Sequence, residues 1–486
     1  MLPALERRTF AGPPAGVREP AKVRAAAALL GLLWGGVTAL AGLNALYLCA
    51  GMIGCAFIAL DFRIGVVLLI VLMPLSGSYL FPHEMFGIKG LNPVNLVLAA
   101  TLASYCLAEL ADGGLRRLLP PALLGLYVAP IVIAGLRGVR HFGEIAPVFF
   151  MSVDGLDFQD PAGYLVDVVA KPLLLVVFSL LVGAAAAKSD KPEKFLLPVW
   201  IAIWVMGLMV VGYVLHSGIG LQQLASGGER AFLGALGMHA NEFGRLYLVA
   251  YALLLFTWAE TKEPAARLGL AASIGLAAVA LMLTFSRGSF AGFALVNVLF
   301  LLWRRNAGAL VFFGLLAAVA LFALPAAVYD RVQHGFGHGL NSISADRIDG
   351  LWLPLLPQVL RHPLFGSGLE SILWSAPMRT GAGVSVLATT HPHNAYLEAL
   401  LDMGIVGLAL ACAYFALVWK GLRALAADTS VAPRLRGFFL GAAAALFALL
   451  ASYFTDSSLR PKPEQVFLWL AIGMMYGLRR PRRPRA

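Results

Sequence analysis

The run Thr284-Phe285-Ser286-Arg287-Gly288-Ser289 sets a guanidinium between two apolar stretches, 268–283 and 290–303. A charge at the centre of a bilayer costs roughly 2.5–3.5 kcal/mol on insertion scales, so an ionisable residue in or beside such stretches is a candidate for a site. Arginine keeps its charge at any physiological pH and presents a planar fork that matches phosphate or carboxylate. Further clusters carry comparable chemistry. Gly227-Gly228-Glu229-Arg230 is followed by His239-Ala240-Asn241-Glu242. Asp346-Arg347-Ile348-Asp349 precedes Arg361-His362-Pro363-Leu364-Phe365-Gly366-Ser367-Gly368. His391-Pro392-His393-Asn394-Ala395-Tyr396-Leu397 closes the series. Arg230, Arg287 and Arg347 gathered on one face with a histidine would clamp an anion beside a proton acceptor. Each cluster also has a plainer reading. Arg287 could snorkel to the headgroups, Arg230 could pair with Glu229, Arg347 with Asp346 or Asp349, and His393 could cap the helix that Asn394 begins.

Such residues need elements to gather them, and the composition says which. Of 486 residues, 60% are apolar and 13% charged, with a mean hydropathy of +0.81; soluble domains carry roughly 25% charged residues. Apolar stretches near or above the roughly 17–25 residues that span a bilayer recur from end to end. The expected fold is all-α and polytopic, with about fourteen transmembrane helices. They are placed at 25–42, 43–60, 64–80, 94–110, 121–136, 164–187, 195–215, 244–259, 268–286, 289–303, 308–328, 395–419, 437–454 and 463–478. Arg7, Arg8, Arg18, Lys22 and Arg24 precede the first apolar run, which lacks a short h-region and cleavage site and reads as a span.

Charge sets the expected sidedness. With a cytoplasmic amino terminus, most of the 37 basic residues fall on the cytoplasmic side, including Arg63, Lys188, Lys262, Arg304, Arg434, Arg436 and the tail from Arg479. The net charge of +11 is then topology and contact with anionic lipid, and no nucleic-acid partner is needed. Under this arrangement both termini are cytoplasmic, whereas Arg287 and all nine histidines face outward. Cys49, Cys55, Cys106 and Cys412 fall within spans and read as small packing residues.

The outer segment 329–394 is far longer than an ordinary connection and reads as a lid. Ser344-Ala345-Asp346 starts a helix there, with Ile348, Leu351, Trp352, Leu355, Leu356, Val359 and Leu360 at helical spacing; Pro354 and Pro357 should kink or split it. An amphipathic piece of this kind lies along the membrane surface or over a cavity mouth. Within the span 164–187, Lys171 follows Asp167 by one turn, giving an i,i+4 ion pair or a guide for a lipid phosphate. Glu242 and Glu398 could orient an arginine or His393, or be interfacial helix residues. His334, His338, His391 and His393 lack the further fixed ligand a zinc site wants, so neither metal nor cofactor is expected.

Three of these stretches resemble the O-antigen ligase/polymerase superfamily of bacterial envelope enzymes: Thr-Phe-Ser-Arg-Gly-Ser-Phe (284–290), the segment from Arg347 through Trp352 to His-Pro-Leu-Phe-Gly-Ser-Gly (362–368), and His-Asn-Ala-Tyr-Leu-Glu-Ala-Leu-Leu-Asp-Met-Gly-Ile-Val-Gly-Leu (393–408). The resemblance is ordered over roughly 195–475. Asp402, where such proteins often have Glu, and the two lid prolines depart from it. The resemblance divides the chain into a basic segment 1–24, amino-terminal spans 25–187, a ligase/polymerase-like region 188–478 that includes the loop 329–394, and a basic tail 479–486. It implies a GT-C-like glycosyltransferase of the bacterial inner membrane, with its site on the periplasmic face. The donor would be an undecaprenyl-diphosphate-linked glycan, and the acceptor a second glycan or lipid A-core. A flippase and a chain-length regulator are the expected partners.

Carried onto this chain, the resemblance makes Arg230, Arg287 and Arg347 diphosphate and glycan binders and His393 the base. Ser286, Asn394, Glu242, Glu398 and Lys171 are secondary candidates. Arginines can stabilise the leaving diphosphate without a metal, and direct displacement would invert the anomeric carbon. No role maps onto His391, which Pro392 is expected to turn away. Gly90-Leu91-Asn92-Pro93 resembles a turn of exopolysaccharide-type members and favours a polymerase over a ligase. An anion transporter is the alternative from another class; it should show polar or discontinuous helices in symmetry-related halves, and no such repeat is legible.

Overall fold

The computed structural model describes residues 42–111, 119–146, 148–151, 156–220, 229–304, 339–380, 389–455 and 458–479, with isolated positions at 31–39, 223 and 329–333. Helices dominate. In chain order they are α1 (Leu43–Leu60), α2 (Phe62–Leu72, continued as a 3-10 turn to Gly77), α3 (Pro93–Ala111), α4 (Pro121–Glu144), α5 (Pro161–Ala187), α6 (Pro192–Ser217), α7 (Ala240–Glu260), α8 (Pro264–Met282) and α9 (Arg287–Arg304). They continue with α10 (Leu353–Arg361), α11 (Ala395–Ala427), α12 (Pro433–Ser452) and α13 (Val466–Leu478). Eight of these are long and apolar enough to cross a membrane, so the chain is an all-α, multi-pass membrane protein. The expected span 308–328 lies outside the described residues, as do most residues of 25–42.

The bundle is organised around α7, which is buried from Phe243 to Thr257, Arg245 included. A helix hydrophobic on nearly every side belongs in a core. Glycine lets its neighbours come close. A Cβ at Gly441 of α12 would sit 2.5 Å from the Ala252 carbonyl oxygen of α7, and one at Gly473 of α13 would sit 1.9 Å from the Ser179 carbonyl oxygen of α5. Small residues at such contacts are how apolar helices associate when burial supplies no driving force between them.

The two ends of this bundle are built differently. At the Glu260 end of α7, Arg304 lies 2.9 Å from Glu260, Arg436 reaches the same carboxylate at 3.4 Å, and Lys188 of α5 lies 2.5 Å from Glu109 of α3. At the other end of α7, Arg245 pairs with Glu464 at 3.2 Å. Between α2 and α3 stands the short hairpin β1 (Glu84–Met85) and β2 (Ile88–Lys89), followed by Gly90 at φ 83°. Asn92 closes that turn by accepting the Asn95 N–H at 2.8 Å, which makes Gly90-Leu91-Asn92-Pro93 the entry to α3.

α11 is broken. Gly404 stands at φ 67°, and the freed backbone groups pair with the segment that follows α10. Ser367 N donates to the Leu401 carbonyl at 2.8 Å, Gly368 N to Asp402 O at 3.0 Å, Ile405 N to Pro363 O at 2.8 Å and Val406 N to Leu364 O at 3.1 Å. Irregular backbone at membrane depth is tolerated where protein takes up its polar groups. A Cβ at Gly366 would overlap the Asp402 backbone at 2.3 Å, and one at Gly404 the Leu364 backbone at 2.4 Å. The glycines of Phe-Gly-Ser-Gly and Asp-Met-Gly are therefore a docking seam. The expected span 395–419 falls within α11 and carries this break near its start.

Candidate functional site

The Arg287 turn is packed onto the start of α7. Phe285 takes φ 48°, Ser286 is buried, and α9 begins at Arg287. Ser289 Oγ donates to Ser286 Oγ at 3.1 Å, and a Cβ at Gly244 of α7 would lie 2.3 Å from Ser289 Oγ. The turn is thus fixed two residues from Glu242. Glu242 itself accepts the His239 N–H at 2.8 Å, while His239 Nδ1 accepts from Asn241 N at 3.2 Å, a reciprocal cap on α7. Arg230 lies in a short turn Glu229–Leu236, and its side chain is outside the described residues, as are His334 and His338.

Arg347 precedes the helical run that leads into α10. Ala345 and Asp346, at φ 58° and 59°, end the short helix Leu340–Ile343, and Asp346 accepts from Asn341 Nδ2 at 3.2 Å. Arg347 Nη1 donates to the Thr455 carbonyl at 2.5 Å, a partner other than the neighbouring aspartates expected to compete for it. Next comes a π turn, Ile348–Trp352, in which Leu353 N bonds Ile348 O five residues back. Pro354 falls in the first turn of α10, where its missing N–H is tolerated, and Pro357 sits inside the helix without splitting it. Leu351 and Leu355 are buried, whereas Leu353, Leu356 and Leu360 stay exposed. Trp352 Nε1 donates to the Pro392 carbonyl at 2.9 Å, joining this helix to the histidine segment.

His393 does not cap α11. Asn394 does, its Oδ1 accepting from Tyr396 N and Leu397 N at 3.1 Å each. His393 precedes the cap at φ 50°, half-buried, with its ring centroid 4.1 Å from that of His391. The expectation that Pro392 turns His391 away is therefore wrong. The left-handed residue at His393 folds the two rings back onto each other.

All three clusters meet at the turn after α12. Ala395 N donates to the Tyr453 carbonyl at 2.9 Å, Arg347 reaches the Thr455 carbonyl, and a Cβ at Gly288, next to Arg287, would lie 3.4 Å from Thr455 Oγ1. Five of the six non-glycine residues with positive φ among the described residues (Phe285, Ala345, Asp346, Glu370 and His393) belong to these segments. Such conformations cost of order 1–3 kcal/mol each and persist where the surroundings over-determine them, commonly at ligand clamps. Lys171 stands apart, paired with Asp167 one turn earlier in α5.

Sequence reasoning missed the ion cluster beneath this turn. Arg460 Nη2 donates to Glu370 Oε1 at 2.5 Å and to Glu398 Oε1 at 2.8 Å; Ser458 Oγ donates to the same Glu398 oxygen at 2.7 Å. Asp402 accepts from Ser371 N at 3.0 Å and Ser371 Oγ at 2.8 Å. Burial works against the Arg460 charge, but the carboxylates of Glu370, Glu398 and Asp402 outweigh it and hold the guanidinium well above its usual range. The legible signal was Glu398 and Asp402 at i,i+4 in an apolar helix, which demands a buried cation. Treating Arg460 only as a basic residue of an outer loop hid it.

Residues 272–412 match the family model described as O-Antigen ligase. The matched stretch includes Arg287, Arg347, Glu370, His393, Glu398 and Asp402, and leaves out Arg230, Glu242 and Arg460. No curated protein matches the chain. Over residues 272–412 this membrane protein is thus similar to the O-antigen ligase family.

Proposed function

We propose that the protein transfers a glycan from undecaprenyl diphosphate to an acceptor hydroxyl on the periplasmic face of the bacterial inner membrane, with both termini cytoplasmic. The convergence of the Arg287 turn, Arg347 and the His393 segment on Tyr453 and Thr455 carries the reading. A diphosphate leaving group needs fixed positive charge where its own charge develops, in a site that keeps water out. Arg287 and Arg347 supply that charge, with Arg230 as the third cation. The first N–H groups of α9 point the same way, because a helix amino terminus favours an anion. His393 takes the proton of the attacking hydroxyl. The new bond forms between that oxygen and the anomeric carbon, the bond from that carbon to the diphosphate oxygen breaks, and the configuration inverts. The arginines do the work that a divalent cation does elsewhere, so the transfer is metal-independent. Segment 329–394 acts as the lid, and the exposed leucines of α10 lie along the membrane surface.

Between the two reactions of this type, polymerisation of O-antigen or exopolysaccharide repeat units is favoured over ligation to lipid A-core. That preference rests on the Gly90-Leu91-Asn92-Pro93 turn alone. A flippase would deliver the donor and a chain-length regulator would act on the product. An anion transporter is the reading that a broken helix favours. Here the backbone groups freed at Gly404 bond to residues 363–368 of the same chain, which supports the enzyme. The glycans of a deletion strain test all three. Single repeats on lipid A-core mean a lost polymerase, and full-length chains stranded on undecaprenyl diphosphate mean a lost ligase. Unchanged glycans with altered anion uptake would overturn the proposal.

A further inference from the structure

Arg460 joins two elements that the chemistry needs in register. Glu370 belongs to the lid segment that docks against the break in α11, and it is itself held at φ 60° with its N–H on Asp402. Glu398 lies in the first turn of α11, its N–H on the carbonyl of Asn394, next to His393. One nitrogen, Arg460 Nη2, bonds both carboxylates, and all three side chains are largely withdrawn from solvent, at 10%, 18% and 8% exposure. The arginine is anchored in turn: Gln465 Nε2 donates to the carbonyls of Ser458 and Arg460 at 3.3 and 3.2 Å, and Trp469 Nε1 donates to Gln465 Oε1 at 3.1 Å. The same connection between α12 and α13 offers the Tyr453 and Thr455 carbonyls to Ala395 and Arg347.

We infer that Arg460 is a positioning residue for the transfer, a lock that fixes the lid to the first turn of the His393 helix, with Glu370 as its lid-side catch. This rests on the proposed glycosyl transfer. Arg460 touches neither donor nor acceptor; it sets the distance between the arginine clamp and the base. A misplacement of about 1 Å can cost about a hundredfold in rate without weakening binding. Because a single nitrogen makes both bonds, charge at that point matters more than the fork. Lysine, whose ammonium has three donors, should replace Arg460 better than the usual difference between the two residues suggests.

The test uses the full-length protein in lipid nanodiscs, with lipid-linked glycan extracted from a strain lacking it as donor. Glu370→Gln leaves the buried Arg460–Glu398 pair in place and should fold. It should lower kcat about tenfold or more with donor KM within about twofold, and trypsin should cut faster after the exposed Arg361. Arg460→Lys should keep at least about a third of wild-type kcat, and Arg460→Gln should fall at least as far as Glu370→Gln. Should Arg460→Gln fail to accumulate, the other two variants decide. If Glu370→Gln lost only thermal stability, with kcat and the tryptic rate unchanged, the lock would be refuted. So would an Arg460→Lys protein that is folded but as slow as Glu370→Gln. A wild-type protein that transfers nothing would sink the functional reading instead, and the tryptic rates would still report on the lock.

Discussion

The two ends of α7 use the same residue types for different ends. Around Glu260, the partners Arg304 and Arg436 keep about a quarter of their side-chain surface exposed, and Arg434 pairs with a Glu263 that is mostly in solvent. Around Arg245 and Arg460, the pairs are withdrawn to 10% exposure or less for every arginine, and Glu464 is wholly buried. Exposed pairs contribute about 0–1 kcal/mol and are screened by salt. Buried ones must overcome desolvation, and losing one partner costs about 3–5 kcal/mol because the other charge is stranded. The first kind ties helix ends together. The second holds loops at fixed distances, which is worth its cost where a reaction depends on those distances.

The largest expected effect strikes the deeply organised end. His393→Ala should lower transfer by about 10²–10⁴-fold, the usual contribution of a general base, while donor binding survives. His391→Ala should be milder. The contact between the two rings makes it a disturbance of His393 and not a neutral change. If His391→Ala were the dead variant and His393→Ala active, the base would be misassigned; transfer and donor binding measured side by side on each variant decide.

Arg287→Ala comes next, with about one to two decades of activity lost as charge-assisted hydrogen bonds worth roughly 1.5–3 kcal/mol disappear. Arg287→Lys should recover only part of it, because the fork is gone. Full activity in both variants at normal protein levels would leave Arg287 a snorkelling residue.

The contrast between the ends can be measured as stability. Glu464→Gln should destabilise the protein by about 3–5 kcal/mol, and Glu260→Gln by about 1 kcal/mol or less. Thermal unfolding in nanodiscs compares them, and equal losses would erase the distinction. Smallest of all, cysteines introduced at Ser226 and Ser342 should react with an impermeant thiol reagent once the outer membrane is opened, without loss of activity. Protection at both positions would reverse the assigned sidedness.

Much of this was legible beforehand, for identifiable reasons. The eight helices long and apolar enough to cross a membrane fall where apolar length placed spans, and α1 begins and ends where hydropathy put it. Arg287, Arg347 and His393 stood out as polar residues beside apolar runs. Their partners did not. The Thr455 carbonyl that holds Arg347 lies 108 residues away, and a backbone acceptor has no side-chain signature. The break at Gly404 was hidden because Met-Gly-Ile-Val-Gly keeps a helical hydropathy. Only the left-handed φ and the docking of residues 363–368 require it. Arg460 was masked by its position just before Pro461, in the connection between two spans, where a basic residue counts toward topology until a buried carboxylate claims it.

Reconstitution tests the central claim most directly. Purified protein in nanodiscs, given the extracted lipid-linked glycan and an acceptor of the same repeat unit or lipid A-core, should lengthen or transfer the chain. One undecaprenyl diphosphate should be released per bond formed, undiminished by chelator and lost in Arg287→Ala and His393→Ala. Release of undecaprenyl diphosphate at the same rate from both variants, or no transfer by a folded wild-type protein to any of these acceptors, would contradict it.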